Sequence, residues 1–402
     1  MVNEFLLGAV LTMQAAGASP PPPDPQMELQ RNVLPFSETA PGQFRGAGWD
    51  RLIADGAKSH FFMIGEQHAT ADIAIFGQSV QSALARRGYT HAAYEIGPYS
   101  TDFAERLVRS GKGKLAAYIR QPGNAIALPF LFYQEEVDLA EQIVAASPDK
   151  TDALWGLDQE FVGAGPIVIE LLRGWANSPE ERAAADAFAE KVTSNAQLIG
   201  TAHWSEMVPI ERAFSGNPQG AKFIAELKLS NEIYAPFTGR GGFGYDGNLR
   251  RENYLKINFA KRFAAAEKRN GRAPKVFLKF GGYHAQKGFT GTNVPGLGNF
   301  LYEWGLPRGF GLTNVMVECV GGNVLNPQTN QTAPCQPYFN KDSAIARLPK
   351  PNRHTLVDLR PLRPLLGRMP NLDQESRQLI LSFDYYLAIK DVKAATPVAR
   401  QP

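Results

Sequence analysis

The sequence predicts an α/β protein: a mostly parallel sheet flanked by helices, with a helical cap insertion and an irregular C-terminal segment. Three observations predict it. Short apolar runs alternate with amphipathic helical stretches, as in a sheet covered by helices on both faces. Two of the runs close on glycine and then on titratable residues. Phe61-Phe62-Met63-Ile64 leads into Gly65-Glu66-Gln67-His68, and Val276-Phe277-Leu278-Lys279-Phe280 leads into Gly281-Gly282-Tyr283-His284. Between residues 161 and 271 strand signals stop and helices follow one another.

At the N-terminus, residues 5–16 are apolar or small, and Ala16-Gly17-Ala18 has the small-x-small form of a signal-peptidase site. No Lys or Arg precedes this run, so it also reads as a plain tail. Export, periplasmic or secreted, is the reading taken forward. Ser19-Pro20-Pro21-Pro22-Pro23-Asp24-Pro25 then forms an extended spacer. The expected organisation is therefore a signal-like segment and spacer over 1–25 and one α/β domain over 26–402.

After His68, residues 71–87 place Ile73, Phe76, Val80 and Leu84 on one helical stripe. Ala92-Ala93-Tyr94-Glu95-Ile96-Gly97 sets a carboxylate inside an apolar strand. A buried Glu needs a partner, so a cation, a His or a metal is expected beside Glu95. Helices over about 102–110 and 139–146 lead to Ala153-Leu154-Trp155-Gly156-Leu157-Asp158-Gln159-Glu160. A strand-end Asp caps the next helix about as often as it does chemistry. Four such runs together indicate the carboxyl edge of a parallel sheet, where ligands bind in the crevice outside the strand ends.

In the insertion, Ser178-Pro179-Glu180-Glu181 starts a helix with a capping Ser and a Pro at the first position. Asn217-Pro218 starts another. Residues 248–270 form a long amphipathic helix closed by Gly271. The Gly-rich stretch 238–245 lacks the Lys-Ser/Thr of a P-loop and reads as a mobile loop beside the site. After the sheet resumes at Lys275, the chain becomes irregular and Pro-rich. It recovers a strand at Phe383-Asp384-Tyr385-Tyr386-Leu387-Ala388-Ile389.

The two cysteines, Cys319 and Cys335, flank one loop and form a plausible disulfide in an oxidising compartment. Forty-two basic residues nearly balance 39 acidic ones, which argues against a nucleic-acid partner. No apolar stretch is long enough to span a bilayer. A Gly-x-Ser-x-Gly elbow and a His-Glu-x-x-His zinc motif are both absent, so a serine-hydrolase elbow and a standard zincin are not supported.

With these pieces in place, the chain resembles the erythromycin-esterase and ChaN-like superfamily, which also includes the Tiki-type proteases. Gly65-Glu66-Gln67-His68 is similar to the Gly-Glu-x-His opening of ChaN-like proteins; the esterases carry one more residue before the His. Arg251-Glu252-Asn253-Tyr254-Leu255-Lys256-Ile257-Asn258 resembles the esterase pattern Arg-Asp-x-x-Met-Ala-x-Asn. Glu95 and His284 stand where the family has its second Glu and second His. Phe383-Asp384-Tyr385-Tyr386-Leu387, with Thr396-Pro397 after it, looks like the esterase ending.

The resemblance implies one cleft formed by Glu66, His68, Glu95, Arg251 and His284. Asp158, Tyr254 and Tyr283 are the candidate substrate contacts. His91 and His354 lack the strand-end context and are expected outside it. The chemistry stays open between two classes. His68, oriented by a carboxylate, can activate water for hydrolysis of an ester or related acyl bond of a small-molecule substrate. His284 and Arg251 would then meet the developing charge. A divalent metal held by Glu66, His68, Glu95 and His284 could assist this hydrolysis. Alternatively the protein binds haem or a metal without catalysis.

Overall fold

A strand buried on both faces must be apolar along its whole length, and parallel strands meet that condition. Phe61–Glu66 is such a strand: all six residues are buried, and parallel neighbours lie on both sides. The computed structural model describes residues 21–147, 152–326 and 329–398. Residues 1–20, which include the signal-like segment, lie outside the described residues. The described residues hold the strands β1 (Val33–Leu34), β2 (Ser37–Ala40), β3 (Gln43–Arg45), β4 (Phe61–Glu66), β5 (Tyr89–Tyr94) and β6 (Leu154–Gly156). They continue with β7 (Lys275–Gly281), β8 (Leu312–Leu325), β9 (Thr332–Pro334), β10 (His354–Asp358) and β11 (Tyr385–Val392).

The main sheet runs β1-β10-β11-β8-β4-β7-β5-β6, and β9 extends β8 as a hairpin. From β11 to β6 every pairing is parallel. Side chains alternate between faces along each strand. Phe62, Ile64, Phe277, Val315 and Val317 face one core, with the helices Ala71–Ala85, Pro98–Ser110 and Gln134–Ala146. Phe61, Met63, Leu278, Phe280 and Met316 face the other, under the helices Gly244–Asn270 and Leu297–Gly305. The fold is α/β, as the alternation of runs predicts.

Between β6 and β7 the described residues form helices and turns only. Ser178 caps Pro179–Ser194 by accepting from the Glu181 N–H, and Asn217 caps Pro218–Tyr234 by accepting from the Gly220 N–H. The long helix starts at Gly244, four residues before its periodic pattern, and ends at Gly271 in the left-handed region. In the Gly-rich stretch, Arg240 is fixed by the carbonyls of Gly200 (2.6 Å), Ala202 (3.0 Å) and Asn231 (2.7 Å). Asp24 caps a helix over Pro25–Arg31, which begins inside the segment read as spacer.

The C-terminal segment also supplies β10. This strand pairs antiparallel with β1 and β11, so residues 33–34 and 354–358 meet at one edge of the sheet. Its five residues include the buried polar side chains His354, Thr355 and Asp358, which break the apolar pattern of a core strand and hide it in the sequence. No helix among the described residues is long and apolar enough to cross a membrane.

Cys319 does not end its strand. β8 continues to Leu325, turns, and returns as β9, and the disulfide to Cys335 staples this hairpin with a Cα–Cα separation of 6.5 Å. A cross-link across 16 residues removes chain entropy from the unfolded state. Cys335→Ser is therefore expected to lower stability by about 3 kcal/mol in urea unfolding under oxidising conditions. Wild-type protein under reducing conditions should lose the same increment, and an unchanged midpoint would show that the staple adds nothing.

Candidate active site

The strand ends β4, β7, β5 and β6 lie side by side and present Glu66, Gly281, Glu95 and Asp158 along one edge. Glycine at 281 has a steric reason. A Cβ there would come within 3.0 Å of His68 Nε2 and 3.3 Å of Glu95 Oε2, and the Gly281 N–H donates to Glu95 Oε2 at 2.7 Å. Gly65 is equally constrained, since a Cβ would meet Ala285 at 2.8 Å.

Glu95 stands just beyond β5 and is the hub. Its Oε1 accepts from Arg251 Nη2 at 2.7 Å and lies 3.3 Å from His284 Nε2. Its Oε2 lies 3.7 Å from His68 Nε2. Burial pushes this carboxyl up, but His284, Arg251 and His68 outweigh burial and hold it well below the usual carboxylate range. Arg251 also donates Nε to Asp158 Oδ1 at 3.0 Å, and its Nη2 bonds Asp158 Oδ2. Asp158 is thus bound to the arginine and 4% exposed.

His284 is gripped from both sides. Nε2 faces Glu95, and Nδ1 pairs with Glu252 Oε1 at 2.6 Å. Burial pulls the ring's pKa down, yet Glu252 and Glu95 outweigh burial and the nearby Arg251 and hold it at about 10. His68 is more open, with a third of its side chain exposed and the Phe130 ring 4.4 Å from its own. Its Nδ1 meets Glu66 Oε1 at 2.8 Å. Burial lowers this ring, but the hydrogen bond and charge of Glu66, aided by Glu95, raise it above its ordinary value. The next residue, Ala69, has φ 73°, an uncommon backbone for alanine, and its carbonyl is held by the N–H groups of Leu325 and Ala395.

The structure therefore brings together Glu66, His68, Glu95, Asp158, Arg251 and His284. Tyr254 does not join them. It is buried one helical turn from Arg251 and donates its hydroxyl to Glu226 Oε2 at 2.6 Å. Tyr283 is 45% exposed and walls a separate cavity of about 680 Å³ with Phe289, Tyr338 and Met316. His91 bonds the Asp152 carbonyl at 2.8 Å and lies against Trp155; His354 packs edge-on against Phe36 and Phe44. Glu160 serves the helix Pro98–Ser110, accepting from the Tyr99 N–H at 2.9 Å. Burial raises its pKa to about 7 despite that bond and those from Ser100.

Three members were not singled out from sequence. Glu252 follows Arg251 in the motif and shows no signal of its own. Lys279 is a lysine inside an apolar strand, a visible anomaly; it is 4% exposed and pairs with Glu66 Oε2 at 2.5 Å. Glu136, on the helix Gln134–Ala146, pairs with the same ammonium.

The donor set does not suit a metal ion. Among the described residues no group of three or more His, Cys, Asp or Glu side chains is arranged to hold one. The reason is chemical: Arg251 binds Glu95 and Asp158, and Lys279 binds Glu66 and Glu136, so these carboxylates are already engaged by protein donors. Nor does His284 suit an axial haem ligand, because both ring nitrogens are taken.

The raised pKa of His284 makes stability depend on pH. Its folded value of about 10 exceeds the ordinary 6.5, so the native state binds the proton more tightly. That contribution is complete below pH 6.5 and is lost as pH rises through about 10. Urea unfolding across this window should show falling stability, with a shallower fall in His284→Gln. Equal slopes would place the histidine outside this charge network.

Neither a family model nor a curated protein matches the sequence. Solved structures do match the fold. A succinoglycan biosynthesis protein aligns with TM-score 0.60 and 15% identity, covering 92% of this chain and 97% of that one. A Bacillus cereus protein aligns with TM-score 0.55 and 15% identity over 94% and 98%. A mutant of erythromycin esterase EreC in its open conformation aligns with TM-score 0.59 and 14% identity over 90% and 97%. The likeness runs nearly end to end in all three, and the chain has an erythromycin esterase-type fold.

Proposed function

We propose that this protein is a hydrolase that cleaves an ester or related acyl bond with water activated by His68. One observation carries the reading. His68 is bonded on Nδ1 by Glu66, which leaves Nε2 facing Glu95 Oε2 at 3.7 Å. A ring oriented in this way by a carboxylate is suited to take a proton.

In the neutral ring, Nδ1 carries the proton shared with Glu66, and Nε2 removes a proton from water as the oxygen attacks the acyl carbon. Glu66 stabilises the imidazolium that forms. The carbonyl oxygen gains negative charge, and the positive charges of His284 and Arg251, whose donors are held by Glu252, Glu95 and Asp158, would stabilise it through the field rather than by a direct bond. Collapse of the tetrahedral intermediate breaks the bond to the alcohol, and His68 returns its proton to the leaving oxygen. The products are an acid and an alcohol.

The fold likeness to erythromycin esterase EreC supports an acyl hydrolase without naming the substrate. The disulfide supports an exported protein, since such bonds persist in oxidising compartments.

His68→Ala is expected to lower turnover of a p-nitrophenyl ester by about 100-fold or more with the fold intact. Glu66→Gln should cost less if Glu66 only orients the ring. Full turnover in a folded His68→Ala protein would end this mechanism. The pH profile gives a second check. His68 acts as a base only when neutral, and its pKa lies above 6.5. The acid limb of kcat/KM should therefore titrate above pH 6.5, and a limb below that value would point to another base.

A further inference from the structure

Lys279 has no part in the mechanism above, yet its burial is costly. It lies in the central strand β7, opposite Ile64 and Tyr94, with 3% of its side chain exposed. Its chain passes under the helix Ala71–Ala85 at Gly77, where a Cβ would sit 3.5 Å from Lys279 Cδ. A buried ammonium must be paired to be tolerated, and two carboxylates pair it: Glu66 Oε2 and Glu136 Oε1. Beside this group, Glu136 Oε2 and the Tyr94 hydroxyl are buried without a hydrogen bond. Packing alone would be better served by an apolar residue at 279.

The arrangement divides Glu66 between two partners. One oxygen meets Lys279 and the other meets His68 Nδ1. A carboxylate held at one oxygen can turn about its last torsion; one held at both oxygens by different elements cannot. The orientation of Glu66 decides which nitrogen of the neutral ring keeps its proton.

We propose that Lys279, anchored by Glu136, is a positioning residue for His68. It locks the Glu66 carboxylate so that the neutral imidazole keeps its proton on Nδ1 and leaves Nε2 bare toward the cleft. The proposal rests on the hydrolase reading only in that a bare Nε2 is what a base requires. The tautomer itself needs no substrate to be observed.

The test is nitrogen NMR of protein labelled with 15N-histidine, at a pH where His68 is neutral, with its signals assigned by their loss in His68→Ala. Wild type is expected to show one tautomer with the proton on Nδ1. Lys279→Met alone leaves two buried carboxylates unpaired and is at risk of not folding. The double variant Lys279→Met with Glu136→Leu removes the ammonium and its anchor together and leaves Glu66 paired with His68. In it, His68 should show mixed tautomers, and kcat on the p-nitrophenyl ester should fall by roughly 10-fold or more at unchanged KM. Lys279→Arg should restore the single tautomer. A double variant that folds and keeps the wild-type tautomer overturns the proposal, as does a wild-type ring protonated on Nε2. A changed tautomer in a protein that hydrolyses no ester would sink the hydrolase reading and leave the positioning role standing.

Discussion

Glu95 carries the electrostatic constraint on which the site depends. It is buried just past the end of β5, where an isolated carboxylate would be strongly destabilising. Arg251, His284, His68 and the Gly281 N–H converge on its two oxygens. Those partners come from the loops after β4 and β7 and from the helix Gly244–Asn270. Removing the carboxylate would leave buried cations beside one another, so the strand ends and the overlying helix are fixed by the same group. The close approach also dictates glycine at 281.

The same environment gives the two histidines different properties. His284 sits between two carboxylates and stays charged through neutral pH. His68 is bonded to one carboxylate, and Lys279 shares that carboxylate. Both rings bind their protons more tightly than a free imidazole, His284 at about 10, and His68 is the more exposed of the two.

A second support reaches the site from the β8–β9 hairpin. Gln67 lies between Glu66 and His68 in the chain. Its side chain accepts from the Cys319 N–H at 2.9 Å and donates to the Gln336 carbonyl at 2.9 Å. The Cys319–Cys335 disulfide closes the same hairpin. The turn that carries His68 is thus braced against a cross-linked element, while Phe130 packs on the ring itself.

The local pattern of the sequence determined the sheet, its carboxyl edge and the strand-end motifs. Apolar runs closed by glycine and polar residues mark β4, β5, β6 and β7 as buried parallel strands, and helix caps at Ser178 and Asn217 mark the helical stretch between them. Periodicity states which face a residue occupies. It does not state what lies across that face. Lys279 and Glu136 are 143 residues apart, and His284 and Glu252 meet only because the helix Gly244–Asn270 lies over the strand ends. Tyr254 stands one turn from Arg251 in the same motif, yet its hydroxyl turns to Glu226. β10 is equally silent in sequence, since its buried His354 packs on Phe36 and Phe44, far from it in the chain. Tertiary structure alone decided these pairings, because burying a charge demands a partner and the chain must fold before that partner exists.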